Sequence, residues 1–138
     1  MTKTPDITEI MYTRAASSLK THGILAIVFG GLGLLGGLIF SVFIGLGLGF
    51  SESSDDFFGL TAALTLTFIF WTLPHIYLIV SGYYLVKQPV PSVAKTLIII
   101  NLVVGAFWNL VILIFAIINL TQLREYAAGY AHRHNYQQ

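Results

Sequence analysis

The sequence contains no cysteine and very little charge. The absence of cysteine from its 138 residues excludes disulfide bonds and thiolate metal sites. Only 9% of the residues are Asp, Glu, Lys or Arg, whereas a soluble domain has about 25%. Because 56% of the residues are hydrophobic, the chain has too few charged side chains to cover a surface that faces water. The composition therefore indicates an integral membrane protein.

Charged residues are also missing from three long stretches of the chain. No Asp, Glu, Lys or Arg occurs in residues 21–51, 57–86 or 96–123. A helix needs about 20 apolar residues to cross the hydrocarbon of a bilayer, so each stretch can cross at least once. The sequence therefore predicts an all-α fold, an integral membrane helical bundle surrounded by lipid.

The predicted organisation has three parts along the chain. Residues 1–20 are predicted to form a cytoplasmic amphipathic segment that lies on the membrane, with a mobile leader as the alternative. Residues 21–123 form the transmembrane domain, and residues 124–138 form a polar tail. The predicted membrane helices cover about 23–50, 57–86, 94–106 and 109–123.

The third apolar stretch admits two structures. As a single helix its 28 residues would be about 42 Å long, more than the roughly 30 Å of hydrocarbon. As a hairpin broken around Gly105 to Asn109, it would form two short helices, with Trp108 and Asn109 in the interfacial layer. The fold would then have four passages, with three long helices as the alternative.

The distribution of charge favours four passages. Lys3, Arg14 and Lys20 precede the first stretch, whereas only acidic charges follow it before residue 57. The positive-inside rule places such a basic N-terminus in the cytoplasm, together with the second loop at Lys87 and Lys95. A hairpin then returns the basic residues of the tail to the same side. We therefore predict a multipass protein of the cell membrane with both termini in the cytoplasm.

Small residues recur at every fourth position of the first stretch. They are Gly33, Gly37, Ser41, Gly45 and Gly49. A ribbon of small side chains lets another helix approach closely, which matters in lipid because the hydrophobic effect does not hold helices together there. We therefore predict a helix-packing face, either within the protein or against a second copy. The alternative is that the spacing reflects a glycine-rich composition alone.

The second stretch carries Pro74 and His75 near its middle. Proline withholds a backbone donor, so Pro74 predicts a kink, and Thr72 can help to satisfy the loosened backbone. An ionisable residue such as His75 at this depth is a functional candidate. However, no Asp or Glu lies in the three apolar stretches. We therefore favour a neutral His75 that bonds to a freed carbonyl or to an asparagine of a neighbouring helix.

Three asparagines occupy the third stretch, at Asn101, Asn109 and Asn119. On one continuous helix Asn101 and Asn119 would share a face, and such a polar stripe would suit a partner helix or a narrow pore. In a hairpin Asn109 is instead a turn residue. Hydrogen bonding between helices is the plainer interpretation of the other two. The sequence predicts no catalytic residue, no metal site and no cofactor.

Three segments carry a family resemblance. They read Gly23-Ile-Leu-Ala-Ile-Val-Phe-Gly, Gly82-Tyr-Tyr-Leu-Val-Lys and Ala94-Lys-Thr-Leu-Ile-Ile-Ile-Asn-Leu. With them the chain resembles small uncharacterised bacterial multipass membrane proteins, in which a basic loop leads into an apolar run ending in Asn-Leu, followed by a break and a last short helix. That break usually contains proline and glycine, whereas here it reads Gly105-Ala-Phe-Trp-Asn109. The resemblance implies a location in a bacterial inner membrane but no functional residues.

The material outside the apolar stretches is too short to form a soluble domain, so any site must lie in the bilayer or at its edge. With no intramembrane carboxylate, we predict a non-enzymatic helix-packing protein, either an accessory subunit or a self-assembling component. Its partners would be the lipid bilayer and other membrane helices, in a homo-oligomer or a larger membrane complex. Nucleic acid is not expected, because the net charge is only +1. The alternative is an oligomeric channel or transporter with a polar path around His75.

Overall fold

The computed structural model describes residues 6–48 and 54–135, and within them the protein is helical apart from the short connection 87–90 and single residues such as Asn109. The elements, in chain order, are α1 (Ile7–Leu48), α2 (Ser54–Thr67), a π-helical segment (Phe68–Thr72), α3 (Leu73–Val86), α4 (Pro91–Trp108) and α5 (Leu110–Asn135). The predicted packing residue Gly49 lies outside the described residues.

Four helical stretches in the described residues are long and apolar enough to cross a membrane. They are Ile7–Leu46, Thr61–Val86, Pro91–Trp108 and Leu110–Asn135. The predicted all-α fold with four passages is thereby confirmed, and the third apolar stretch contains two helices. By the length and composition of its helices, the chain is a small polytopic membrane protein.

Asn109 forms the break between α4 and α5. Its backbone is extended, with φ −156° and ψ 102°, and its N–H donates to the carbonyl of Gly105. Its side-chain oxygen accepts hydrogen bonds from the backbone N–H groups of Val111 at 3.0 Å and Ile112 at 3.1 Å. One residue therefore ends α4 and caps the N-terminus of α5. Gly105 permits the tight return, because a Cβ there would lie 2.5 Å from the backbone nitrogen of Leu113.

Both ends of the chain continue helices beyond the predicted boundaries. α1 has no break between residues 20 and 23, and α5 runs to Asn135 through most of the predicted polar tail. With 42 residues α1 is about 63 Å long, roughly twice the thickness of the hydrocarbon. Tyr12 and Leu19 of the predicted surface segment are buried in a core that includes Tyr126 of α5. Packing between the two ends thus orders segments that are too short to fold alone.

The chain divides into two compact units. We call residues 6–26 and 81–135 the terminal unit, and residues 27–48 and 54–80 the central unit. The core of the terminal unit contains Tyr12, Ala15, Ala16, Leu19, Leu85, Ala94, Ile98, Ala116 and Tyr126. Because these residues come from α1, α3, α4 and α5, parts of four helices meet in this core.

The central unit contains a helical irregularity beside Pro74. The π-helical segment Phe68–Thr72 ends directly before α3, and Pro74 is the second residue of α3. Proline lacks an N–H and crowds the carbonyl four residues earlier, which belongs to Phe70. A π-helical turn is wider than an α-helical one. The helix is therefore widened at the position where Pro74 disfavours an ordinary turn.

Aromatic and charged side chains join the two ends of the chain. The Tyr12 and Tyr126 rings stack with their centroids 5.6 Å apart, and the Tyr126 hydroxyl donates to the carbonyl of Pro89 at 2.7 Å. Arg133 forms an ion pair with Glu9, and its guanidinium lies 4.3 Å from the centre of the Tyr12 ring. These contacts put the beginning of α1 and the end of α5 on the same side of the protein, as an even number of passages requires.

We expect Gly129→Leu to destabilise the terminal unit. A Cβ at Gly129 would lie 2.3 Å from the Cβ of Tyr12, so a larger side chain must push α1 and α5 apart. Such overpacking typically costs about 1–3 kcal/mol, and thermal unfolding in detergent micelles should show a lower midpoint. The matched control is Ala128→Leu, at an exposed neighbouring position. Equal midpoints for the two variants would contradict the close packing.

Candidate functional site

Four buried polar side chains meet inside the terminal unit. They are His22 of α1, Ser81 of α3, Asn101 of α4 and Asn119 of α5, and none is more than 2% exposed. We call this group the polar centre. The sequence singled out the two asparagines for interhelical hydrogen bonding, and the structure brings them together around a histidine that the sequence analysis missed.

Hydrogen-bond distances connect the four side chains of the polar centre. The amide nitrogens of Asn101 and Asn119 lie 3.3 Å and 3.2 Å from the Nε2 and Nδ1 atoms of His22, respectively. The Ser81 hydroxyl lies 3.0 Å from the side-chain oxygen of Asn101. Asn119 also donates to the carbonyl of Phe115, one turn earlier in α5, at 2.8 Å. The His22 ring therefore bridges α4 and α5, and Ser81 adds α3 to the network.

Small residues allow these short side chains to reach one another. A Cβ at Gly23 would lie 2.6 Å from the carbonyl oxygen of Gly82, so α1 and α3 approach with no room for a side chain. Gly23 follows His22 and Gly82 follows Ser81 in the sequence. Small residues permit such backbone contact between membrane helices, and polar side chains beside them can then bond across the interface.

The polar centre has almost no free space around it. The adjoining cavity, which is lined in part by Asn119 and Gln122, has a volume of about 10 Å³. That is room for no more than about one water molecule. The His22 ring is further enclosed by Phe115, whose ring centroid lies 6.3 Å away. The polar centre is thus an enclosed hydrogen-bond network.

His75 lies in the central unit and does not belong to the polar centre. It is 7% exposed, and its Nδ1 lies 2.5 Å from the carbonyl oxygen of Trp71, to which it donates. Its ring packs so closely on α1 that a Cβ at Gly33 would overlap it, at 1.7 Å from Cδ2. The partner of His75 is thus the carbonyl of Trp71, which is the next residue after Phe70, whose carbonyl Pro74 crowds.

The small residues of the predicted ribbon differ in how closely the rest of the chain packs against them. The indole N–H of Trp71 donates to the carbonyl of Gly33 at 2.8 Å, and a Cβ at Gly37 would lie 2.6 Å from the same ring. The hydroxyl of Ser41 donates to the carbonyl of Gly37 at 2.8 Å. In contrast, among the described residues outside α1, no atom lies within 4 Å of a Cβ built at Gly45. The earlier half of the ribbon packs inside the central unit, and Gly45 is open.

A mostly apolar cleft adjoins the packed part of the ribbon within the central unit. Its volume is about 430 Å³, and it is lined by Leu34, Gly37, Leu38, Ser41, Leu64, Phe68, Thr72 and Ile76. Thr72 and Ser41 supply its side-chain polar groups, and Ser41 already donates to a carbonyl of its own helix.

The remaining polar candidates lie elsewhere. Asn109 caps α5 and takes no part in the polar centre. His132 and His134 lie near the end of α5, where His134 Nδ1 is 3.0 Å from the carbonyl oxygen of Tyr130. Within the described residues, no group of three or more His, Cys, Asp or Glu side chains could hold a metal ion.

Comparisons with protein-family models, with curated proteins and with solved structures find no match for this chain. The resemblance to small bacterial multipass proteins therefore stays a prediction from the sequence.

We expect Asn101→Ala to destabilise the protein, because it removes the partner that His22 and Ser81 share. The loss of a buried hydrogen-bond partner typically costs about 1–3 kcal/mol of unfolding free energy, which chemical unfolding in micelles can measure. Val103→Ala is the control on the same helix, at a side chain that is 52% exposed. If the two variants are equally stable, the polar centre does not stabilise the fold.

Proposed function

We propose that this protein is a non-enzymatic membrane protein, either an accessory subunit or a self-assembling component, that packs against other membrane helices through the outer face of α1. A difference between the polar side chains and the glycines of the membrane helices supports this proposal. The side chains of the polar centre and of His75 bond to groups of the same chain, whereas no other helix of the described residues packs against Gly31 or Gly45 of α1.

The satisfied polar groups argue against a role in chemistry or transport. Catalysis and conduction need polar atoms that can reach a substrate or an ion. The polar centre is enclosed, and His75 is bonded to Trp71. Interhelical packing needs no such access, so it agrees better with this arrangement.

The outer face of α1 supports association with another helix. Among the described residues, and apart from α1 itself, no atom lies within 4 Å of a Cβ built at Gly31 or Gly45, which are about 40° apart around the helix. Leu38, which lies within about 20° of Gly31 around the helix, is 67% exposed. Exposed apolar side chains are ordinary in lipid, but open glycines leave a shallow surface that a second helix can approach closely.

We expect Gly45→Leu to weaken association without lowering the stability of the single chain. A leucine fills the open position, which should reduce self-association about tenfold or more, corresponding to roughly 1.4 kcal/mol. Energy transfer between labelled copies in liposomes measures the association, and mixing with excess unlabelled protein tests its specificity. Retained unfolding midpoints would show that the fold is intact.

Gly37→Leu is the matched comparison on the same ribbon. Because a Cβ there would lie 2.6 Å from the Trp71 ring, this variant should lower the unfolding midpoint. If leucine at positions 31 and 45 leaves energy transfer unchanged, self-association through this face is wrong. Co-purification from native membranes then tests the accessory-subunit form of the proposal, and loss of a co-purifying protein in the Gly45→Leu variant would support it.

The alternative function is a channel or transporter with a polar path around His75. It has less support, since the ring is packed on Gly33 and donates to Trp71. The neighbouring cleft offers Thr72 and Ser41 but is otherwise lined by apolar residues and one glycine.

We also propose that both termini lie in the cytoplasm. The contact of Glu9 with Arg133 puts both ends on one side of the protein. The lysines and arginines of the described residues lie in the first half of α1, around the turn between α3 and α4, and in the second half of α5, namely Arg14, Lys20, Lys87, Lys95, Arg124 and Arg133. The sequence between α1 and the first turn of α2 instead carries Glu52, Asp55 and Asp56. The positive-inside rule favours a cytoplasmic location for the basic end.

Single cysteines can test this orientation, because the chain has none of its own. A membrane-impermeant thiol reagent added to intact cells should label Ser53→Cys and should not label Asn135→Cys. Permeabilised cells provide the control, in which both variants should react. Labelling of Asn135→Cys in intact cells would reverse the proposed orientation.

A further inference from the structure

The contacts of Asn119 determine where His22 carries its proton. The side-chain nitrogen of Asn119 donates one hydrogen to the carbonyl of Phe115 at 2.8 Å, which fixes the orientation of this amide. Its other hydrogen points to Nδ1 of His22 at 3.2 Å. Nδ1 must therefore accept a hydrogen bond. A neutral imidazole that accepts at Nδ1 carries its hydrogen on Nε2.

The hydrogen on Nε2 in turn requires an acceptor on α4. The side-chain amide of Asn101 lies 3.3 Å from Nε2 of His22. Because the oxygen and the nitrogen of an amide have nearly the same shape, the hydrogen bonds decide which of the two faces the ring. With its oxygen towards His22, its nitrogen lies 3.0 Å from the hydroxyl of Ser81, which can accept. The donors then run in one direction, from Asn119 through His22 and Asn101 to Ser81.

This chain of hydrogen bonds offers no acceptor for a second hydrogen on the His22 ring. A hydrogen on Nδ1 of His22 would face an N–H of Asn119. Turning the Asn119 amide over would set its oxygen against the carbonyl oxygen of Phe115, two acceptors at 2.8 Å. Either arrangement leaves a buried donor or acceptor without a partner, which is costly inside a membrane protein.

The groups that face the ring give an imidazolium no compensating charge. They are Ser81 from α3, Asn101 from α4, and Phe115 and Asn119 from α5, and none of them titrates near neutral pH. The nearest charged residues in sequence on α1, α4 and α5 are Lys20, Lys95 and Arg124, which are all basic.

We propose that His22 is an acid-sensitive latch. The neutral ring with its hydrogen on Nε2 bonds α1 to both α4 and α5, and a second proton, on Nδ1, breaks the contact with Asn119 and so releases α5. This property is independent of the proposed assembly through the outer face of α1, because it concerns contacts inside the terminal unit.

The first experiment determines the protonation state of His22 directly. Nitrogen NMR of the full-length protein in micelles, with ¹⁵N-labelled histidine, distinguishes the two neutral tautomers from the imidazolium. Comparison with His22→Gln identifies the His22 signals among those of His75, His132 and His134. We expect the neutral Nε2–H form at about pH 7.5. An Nδ1–H tautomer or an imidazolium at that pH would overturn the proposal.

The second experiment measures the consequence of protonation. The unfolding midpoint of the wild-type protein should fall by several degrees more than that of His22→Gln when the pH is lowered from about 7.5 to about 5. Glutamine keeps a donor near the Nε2 position but cannot titrate in this range, and the variant retains the other three histidines. Parallel pH profiles of the two proteins would contradict the latch.

A readout on the wild-type protein covers the case in which His22→Gln fails to fold. Protonation of His22 should change the side-chain amide signals of Asn101 and Asn119 at the same pH. Amide signals that stay constant while His22 becomes charged would overturn the proposal.

Discussion

Hydrogen bonding between buried side chains is the constraint on which the arrangement of the terminal unit depends. Lipid offers no hydrogen bonds, so a polar side chain inside an apolar helix needs a partner on a neighbouring helix. His22 finds partners on both α4 and α5. Such bonds contribute only about 0.6 kcal/mol each on average in a membrane protein. Their main effect is therefore on specificity, because an alternative pairing of the helices leaves several polar groups in hydrocarbon.

Close backbone contact is the condition that makes this network geometrically feasible. The side chains of serine and asparagine are short, so they reach across an interface only if the helices approach closely. Gly23 and Gly82 allow this next to the polar centre, and Gly105 and Gly129 allow it at the hairpin and between the chain ends. Each position has neighbouring atoms where a Cβ would lie. In lipid this contact replaces the hydrophobic contribution that holds soluble helices together.

The sequence predicts the membrane passages well and the polar centre only in part. Charge-free stretches indicate the passages because lipid excludes charge, and the hairpin follows from the length of the third stretch. The paired helix ends could not be predicted, since their order depends on contacts between residues more than a hundred positions apart, such as Glu9 and Arg133. His22 was missed because a lone histidine two residues after Lys20 resembles a residue of the membrane surface. One signal could have found it: each member of the polar centre lies two to six residues from a lysine or arginine, as His22 does from Lys20, Ser81 from Lys87, Asn101 from Lys95 and Asn119 from Arg124.

The glycines of α1 show why spacing alone does not separate folding from assembly. Gly33 and Gly45 belong to the same every-fourth pattern, yet the first is covered by His75 and the second faces open space. Gly30 lies off that pattern and is nevertheless packed against the backbone of His75. A membrane helix uses small residues both to fold and to associate, because in both cases the gain comes from close approach. What distinguishes the two uses is whether another part of the chain already occupies the space beside the glycine, as the His75 ring does at Gly33.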